Sequence, residues 1–192
     1  MDVVTVSGLC IIIIAVLGLL FYIPFIVVVF HPSSKHKTSF FILAGWLGIA
    51  DCICLLLMVA YAGPSTIWEK NMVGTEFNAI MGGLLNIGWF TSLPLVVFLA
   101  VDRWLCLCKK KWFNVVYSQQ KTKCYISACW LFGIAYSIPS FTGCCPIYFT
   151  YEYLSWGWSV EHAGAQVLAI GELVMVILVV TVTYLCNGIV LR

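Results

Sequence analysis

The chain has 192 residues, 62% of them hydrophobic and 9% charged, with 10 Lys+Arg against 8 Asp+Glu. A soluble domain carries about 25% charged residues, so this chain cannot cover a water-facing surface, and it is far too apolar to stay unfolded. Ten cations scattered through so apolar a sequence make no basic domain, which argues against a nucleic-acid binder and leaves a membrane protein with several spans.

Five apolar segments are long enough to cross a ~30 Å hydrocarbon layer as helices. They run from about Gly8 to Phe30, Ser39 to Ala62, Phe77 to Leu107, Cys124 to Cys145 and Ala165 to Val190, within one transmembrane domain. Runs such as IIIIAVLGLL do not alternate, so helices are expected rather than barrel strands. Pro24, Pro94 and Pro139 fall inside or near the ends of spans, where membrane helices tolerate them. The first segment reads as a span and not as a signal peptide, because MDVVTVSG ahead of it has no positive charge and the apolar run is too long.

The basic residues set the orientation. Lys35 and Lys37 follow span one; Arg103, Lys109, Lys110, Lys111, Lys121 and Lys123 lie around the connection between spans three and four; Arg192 follows span five. Only Lys70 lies on the opposite side, so the positive-inside rule places the N-terminus outside and the C-terminus in the cytoplasm. Most loop carboxylates, Glu69, Glu76, Glu152 and Glu161, then face outward. So do Trp68, Trp156, Trp158, Tyr148, Tyr151 and Tyr153. An aromatic belt at the headgroups is the simpler reading of these rings, and the wall of a ligand vestibule is the other.

The ten cysteines show no metal pattern, and buried thiols in apolar helices commonly act as small hydrophobes. Cys10, Cys144 and Cys145 lie near the outer, oxidising face, while Cys106 and Cys108 sit at the inner edge, where S-acylation is an option.

Charges within spans carry more information. Asp51 lies roughly 18 Å into span two, near the bilayer centre, where an isolated carboxylate costs about 2.5–3.5 kcal/mol. It should face the bundle and hold a proton, a cation or a polar partner. Asp102-Arg103-Trp104 closes span three at the inner side; Arg103 there can simply snorkel to the headgroups. Glu172 lies in the outer half of span five, available to a ligand or to a bundle partner such as Asn86. His31, His36 and His162 are scattered, and no phosphate loop, zinc-protease helix or nucleophile elbow is present, so neither an enzyme nor a bound cofactor is expected.

Several of these residues resemble the rhodopsin-like G-protein-coupled receptors. L-G-I-A-D at Leu47–Asp51 is similar to their second-helix motif and D-R-W at Asp102–Trp104 to their third-helix D-R-Y. Trp130 with Pro139 resembles the fourth-helix pattern, Ser92 the third-helix serine, Trp68 a first-outer-loop tryptophan and Tyr184 a fifth-helix tyrosine of the activation switch. F-Y-I-P in span one and the G-C-C-P-I-Y…W-G-W stretch are similar to nematode serpentine chemoreceptors of Srx or Srt type.

The resemblance implies an all-α bundle matching helices one to five of a seven-helix receptor at the plasma membrane. It implies a core cation site, with sodium as its ion, at Asp51 and Ser92. It places a switch facing a heterotrimeric G protein at Asp102, Arg103, Trp104 and Tyr184, beside Lys109–Lys111. It places a small-molecule site near Asn86, Trp89, Glu172, Trp156 and Trp158. Departures accompany it. Span one lacks the family's Asn and span five its Pro, and Asn78 stands where a Cys usually ties span three to the second outer loop, so that tie is expected to be missing. The sixth- and seventh-helix elements have no residues here, so a receptor truncated after its fifth helix, with signalling lost, is expected. The alternatives are a five-span transporter or channel subunit using Asp51 and Glu172 as relays, or a membrane partner of full-length receptors.

Overall fold

The computed structural model describes residues 3–31, 38–70, 74–159 and 163–190. The expectations placed on Lys35, His36, Lys37, Glu161, His162 and Arg192 concern positions outside these.

Among the described residues, five helices are long and apolar enough to cross a membrane. Helix α1 covers Val3–Phe30 without interruption, passing through Pro24. Helix α2, Ser39–Leu57, passes through a π-helical turn at Met58–Ala62 into a short α3 at Gly63–Ile67. Pro64 has no N–H to donate and its ring crowds the carbonyl four residues back, which accounts for the widened turn just before it. The second crossing therefore continues five residues past the expected Ala62, to Ile67. It ends in a tight turn in which Glu69 takes a left-handed φ of 50° and Lys70 donates its N–H to the Ser65 carbonyl at 3.2 Å.

Helix α4, Thr75–Cys108, is the axle of the bundle and the longest element. Half of its most apolar window is buried, against 11% for α1. It packs on α2, on α6 (Gln119–Phe141) and on α7 (Ala163–Val190). A short helix α5, Lys110–Val116, turns along the inner edge between α4 and α6. The close approach of α4 and α6 depends on Gly133, where a Cβ would lie 2.8 Å from the Ile87 carbonyl oxygen and 3.0 Å from the Thr91 nitrogen. Small residues at such crossings let membrane helices reach van der Waals contact.

Helix α6 stops at Phe141, four residues before the expected Cys145. Pro139 sits in its last turn, and Gly143 at φ +72° reverses the chain. An antiparallel hairpin follows, β1 (Ile147–Thr150) paired with β2 (Ser155–Trp158), with Phe149 opposite Trp156. The hairpin replaces the loop expected at this end. Phe149 of β1 packs with Tyr61 and Ala62 in an outer core; a second core, at the inner end, gathers Leu43, Leu95, Leu105, Tyr117, Ile126 and Cys129.

Candidate ligand cleft and inner polar cluster

At the outer end, α4, α7 and the hairpin enclose a cleft of about 170 Å³ lined by Leu85, Asn86, Trp89, Ile147, Trp156, Gly157, Trp158 and Glu172. All five residues singled out for ligand contact line it. Glu172 is its polar centre. The Trp89 indole N–H donates to one carboxylate oxygen at 2.9 Å and the Trp158 indole N–H to the other at 2.8 Å. Residues from α4, β2 and α7 thus converge on one group. The Asn86 amide, buried, donates toward the Ser140 hydroxyl at 3.5 Å. Tyr136 braces the same wall by donating to the Leu168 carbonyl at 2.7 Å.

The outer aromatic residues divide. Trp156 turns inward onto Tyr61 and Phe149, with ring centroids 5.9 and 5.3 Å apart, and Trp158 serves Glu172. The belt reading is therefore corrected for these two, because the hairpin aims them into the bundle. Tyr153 at the hairpin tip and Trp68 beyond α3 are exposed.

Asn78, which stands where a Cys would usually begin the covalent tie of span three to the outer loop, makes a different link to that loop. Asn78, 1% exposed, donates its amide N–H to the Phe149 carbonyl at 3.0 Å and accepts the Phe149 N–H at 2.8 Å. A planar amide offers one donor and one acceptor side by side, and so can grip one residue of a strand at two points. The tie exists as hydrogen bonds rather than as a covalent bridge. Nearby, a Cβ on Gly82 would overlap the Ile147 carbonyl, so β1 lies directly on α4.

Nearer the centre, the Asp51 carboxylate takes a hydrogen bond from the Tyr22 hydroxyl of α1. Ser92 donates at 2.8 Å to the carbonyl of Trp89 on its own helix. A hard cation needs several oxygen ligands. Asp51 and Ser92 supply one carboxylate and one hydroxyl toward such a set. Among the described residues, no group of three or more His, Cys, Asp or Glu could hold a metal ion.

At the inner end Asp102 is 2% exposed and accepts a 2.5 Å hydrogen bond from Ser39, the first residue of α2. Arg103 lies over the Phe40 ring, 4.4 Å from its centroid. A recess of about 340 Å³ opens here between Ser39, Phe40, Asp102, Phe113 and Tyr117. The Tyr117 hydroxyl donates to the Phe98 carbonyl at 2.7 Å. Burial, and then the nearby Asp102 carboxylate, hold the Tyr117 phenol above its ordinary value of 10.0. Trp104 is half-buried against the inner core. Tyr184 is 76% exposed on α7 and does not join Asp102 and Arg103, so the four expected switch residues do not form one cluster.

Sequence reasoning missed Asn78 as an anchor, Tyr22 as the partner of Asp51 and Ser39 as the partner of Asp102. For the last pair a signal existed, since both residues fall at the same inner edge once the spans and their sides are assigned.

The sequence matches the family described as "Serpentine type 7TM GPCR chemoreceptor Srx" over residues 12–191. A comparison with curated proteins finds no match. Among solved structures, the crystal structure of squid rhodopsin superimposes with a TM-score of 0.80 at 14% identity, over 96% of this chain and 50% of that one. That likeness concerns the fold, and this chain spans about half the length of the rhodopsin chain. With nearly its whole length matched, the chain belongs to the Srx family of serpentine seven-transmembrane chemoreceptors.

Proposed function

We propose that this chain carries the first five spans of a plasma-membrane chemosensory receptor, with its ligand in the outer cleft and a heterotrimeric G protein at the inner face. The reading rests above all on Glu172, a carboxylate held between two indoles from different elements at the mouth of an aromatic cleft. Ligand sites are mostly apolar hollows with a few fixed polar groups, and this cleft has that character.

Its size limits the ligand. A cavity of about 150 Å³ takes benzene, and usual drug-sized sites are about 300–1,000 Å³. The occupant is therefore a single-ring or comparably small molecule. A carboxylate that accepts two N–H bonds keeps lone pairs for a third donor, which favours an amine or hydroxyl on that ring. At the inner face, Arg103 and the lysines Lys109–Lys111 supply positive charge for the G protein, while the buried Asp102 accepts a hydrogen bond from Ser39.

The test is a panel of single-ring amines, alcohols and hydrocarbons titrated against the chain in lipid nanodiscs, followed by intrinsic tryptophan fluorescence. Saturable quenching by ring amines or alcohols that is lost in Glu172→Ala is expected. Quenching that is unchanged in Glu172→Ala and in Trp158→Phe would remove the cleft from consideration. Ligand-stimulated nucleotide exchange on a purified heterotrimeric G protein tests the inner face separately.

A further inference from the structure

The turn between α6 and β1 holds two adjacent cysteines that the ligand cleft does not use. Neighbouring side chains ordinarily diverge, yet here the sulfurs of Cys144 and Cys145 lie 3.6 Å apart, in contact. The backbone brings them together. Gly143 takes a left-handed φ of +72°, and the Cys145 N–H reaches back to the Pro139 carbonyl at 3.1 Å, folding the turn over the end of α6. The two thiols differ in surroundings. Cys144 is exposed, whereas Cys145 is 2% exposed and faces the start of α7, where a Cβ on Gly164 would lie 2.9 Å from its sulfur. Burial and the neighbouring thiol push Cys145 above its ordinary pKa. The asymmetry of basic residues places this turn on the outer side, where disulfides form and persist.

We propose that Cys144 and Cys145 form a reversible vicinal disulfide, a redox-modification site at the joint of α6, the hairpin and α7. The oxidant is a small-molecule disulfide of the secretory lumen, reacting by thiol–disulfide exchange. The exposed Cys144, as thiolate, attacks one sulfur of that disulfide, forms a mixed disulfide and releases one thiol. Cys145 then loses its proton and attacks the Cys144 sulfur, releasing the second thiol. Two protein thiols are oxidised to one disulfide, and one small disulfide is reduced to two thiols. Ordinary disulfides join Cα atoms about 4.4–6.8 Å apart, whereas adjacent residues lie about 3.8 Å apart. The ring is therefore tight and belongs with the labile, regulatory bridges rather than the structural staples. Its closure stiffens the chain just ahead of Ile147, which lines the cleft.

The full chain, produced through a eukaryotic secretory pathway, is quenched with acid, denatured, alkylated without reduction and mapped by mass spectrometry. Denaturation exposes the buried thiol, so burial cannot imitate a bond. The expected peptide spanning Cys144 and Cys145 is unalkylated and lighter by two hydrogens, and takes two alkyl groups after reduction. A peptide already carrying both alkyl groups before reduction overturns the proposal, as does one linked to Cys10 or to a second chain. Graded small-thiol buffers then test lability: opening at mild reducing strength supports a switch, and resistance to strong reductant overturns it.

Discussion

Single residues hold the outer site together, and each makes a separate prediction. Trp89→Phe and Trp158→Phe each delete one charge-assisted hydrogen bond to Glu172 while keeping an aromatic ring. Each should lower thermal stability by about 1–2 kcal/mol, with a double-mutant cycle showing coupling through the shared carboxylate. Asn78→Ala should cost about 2 kcal/mol or more, because two buried bonds to Phe149 are lost together. Asn78→Asp keeps the shape but turns an oxygen toward the Phe149 carbonyl, and should be at least as damaging. Hydrogen exchange over residues 147–158 should rise in both variants; unchanged exchange would show that the hairpin is held elsewhere. Tyr117 gives a pH test. Its phenol is raised in the folded state from an ordinary 10.0, so its contribution is complete below that pH and is lost as pH rises above it through the folded value. Tyr117→Phe should remove this alkaline slope and cost about 1 kcal/mol through the lost bond to the Phe98 carbonyl. A slope that survives the substitution would assign it to another group. At this scale the residue types were legible in the sequence, but several partners were not. Asp51 and Asp102 announce themselves because a charge in a span must be answered, whereas nothing local to Tyr22 marks it as the answer.

At the scale of elements, the contact of α4 with α6 is the most demanding. Gly133 faces backbone atoms of α4, which cannot turn aside as a side chain can. Gly133→Ala should therefore force the helices apart and cost about 1–3 kcal/mol, read as a lower melting temperature in detergent. A neutral Gly133→Ala would mean that the two helices do not approach this closely. The apolar helices were legible from run length, since a span needs about 20 apolar residues and satisfies its own backbone. Their ends were less so. Pro64 does not end the second crossing, because the π-turn absorbs the missing donor; Pro139 and Gly143 end α6 earlier than its apolar run suggests. The hairpin was not legible. Its strands are only four residues each, and its tryptophans read equally well as headgroup anchors until β1 is seen lying on Gly82 of α4.

The whole molecule has one well-buried helix and two nearly bare ones. Among the described residues, only Ala165 is buried on α7, and Gly8, Ala15 and Val29 on α1. Their long apolar faces need lipid or detergent, so the chain should leave membranes only with detergent. Orientation is tested directly. An N-terminal epitope should be stained on intact cells and a tag inserted beside Lys111 only after permeabilisation; the reverse pattern would overturn the positive-inside reading.

The sequence by itself determined the solvent, the number of crossings, the expected orientation and the residues that had to find partners. These follow from hydrophobicity, charge and length, which are summed along the chain. Only the tertiary structure decided which partners were found: Glu172 between two indoles, Asn78 on Phe149, Asp51 with Tyr22. Those choices depend on how helices rotate and cross, and helices in lipid are set against one another by close packing, which no local pattern encodes.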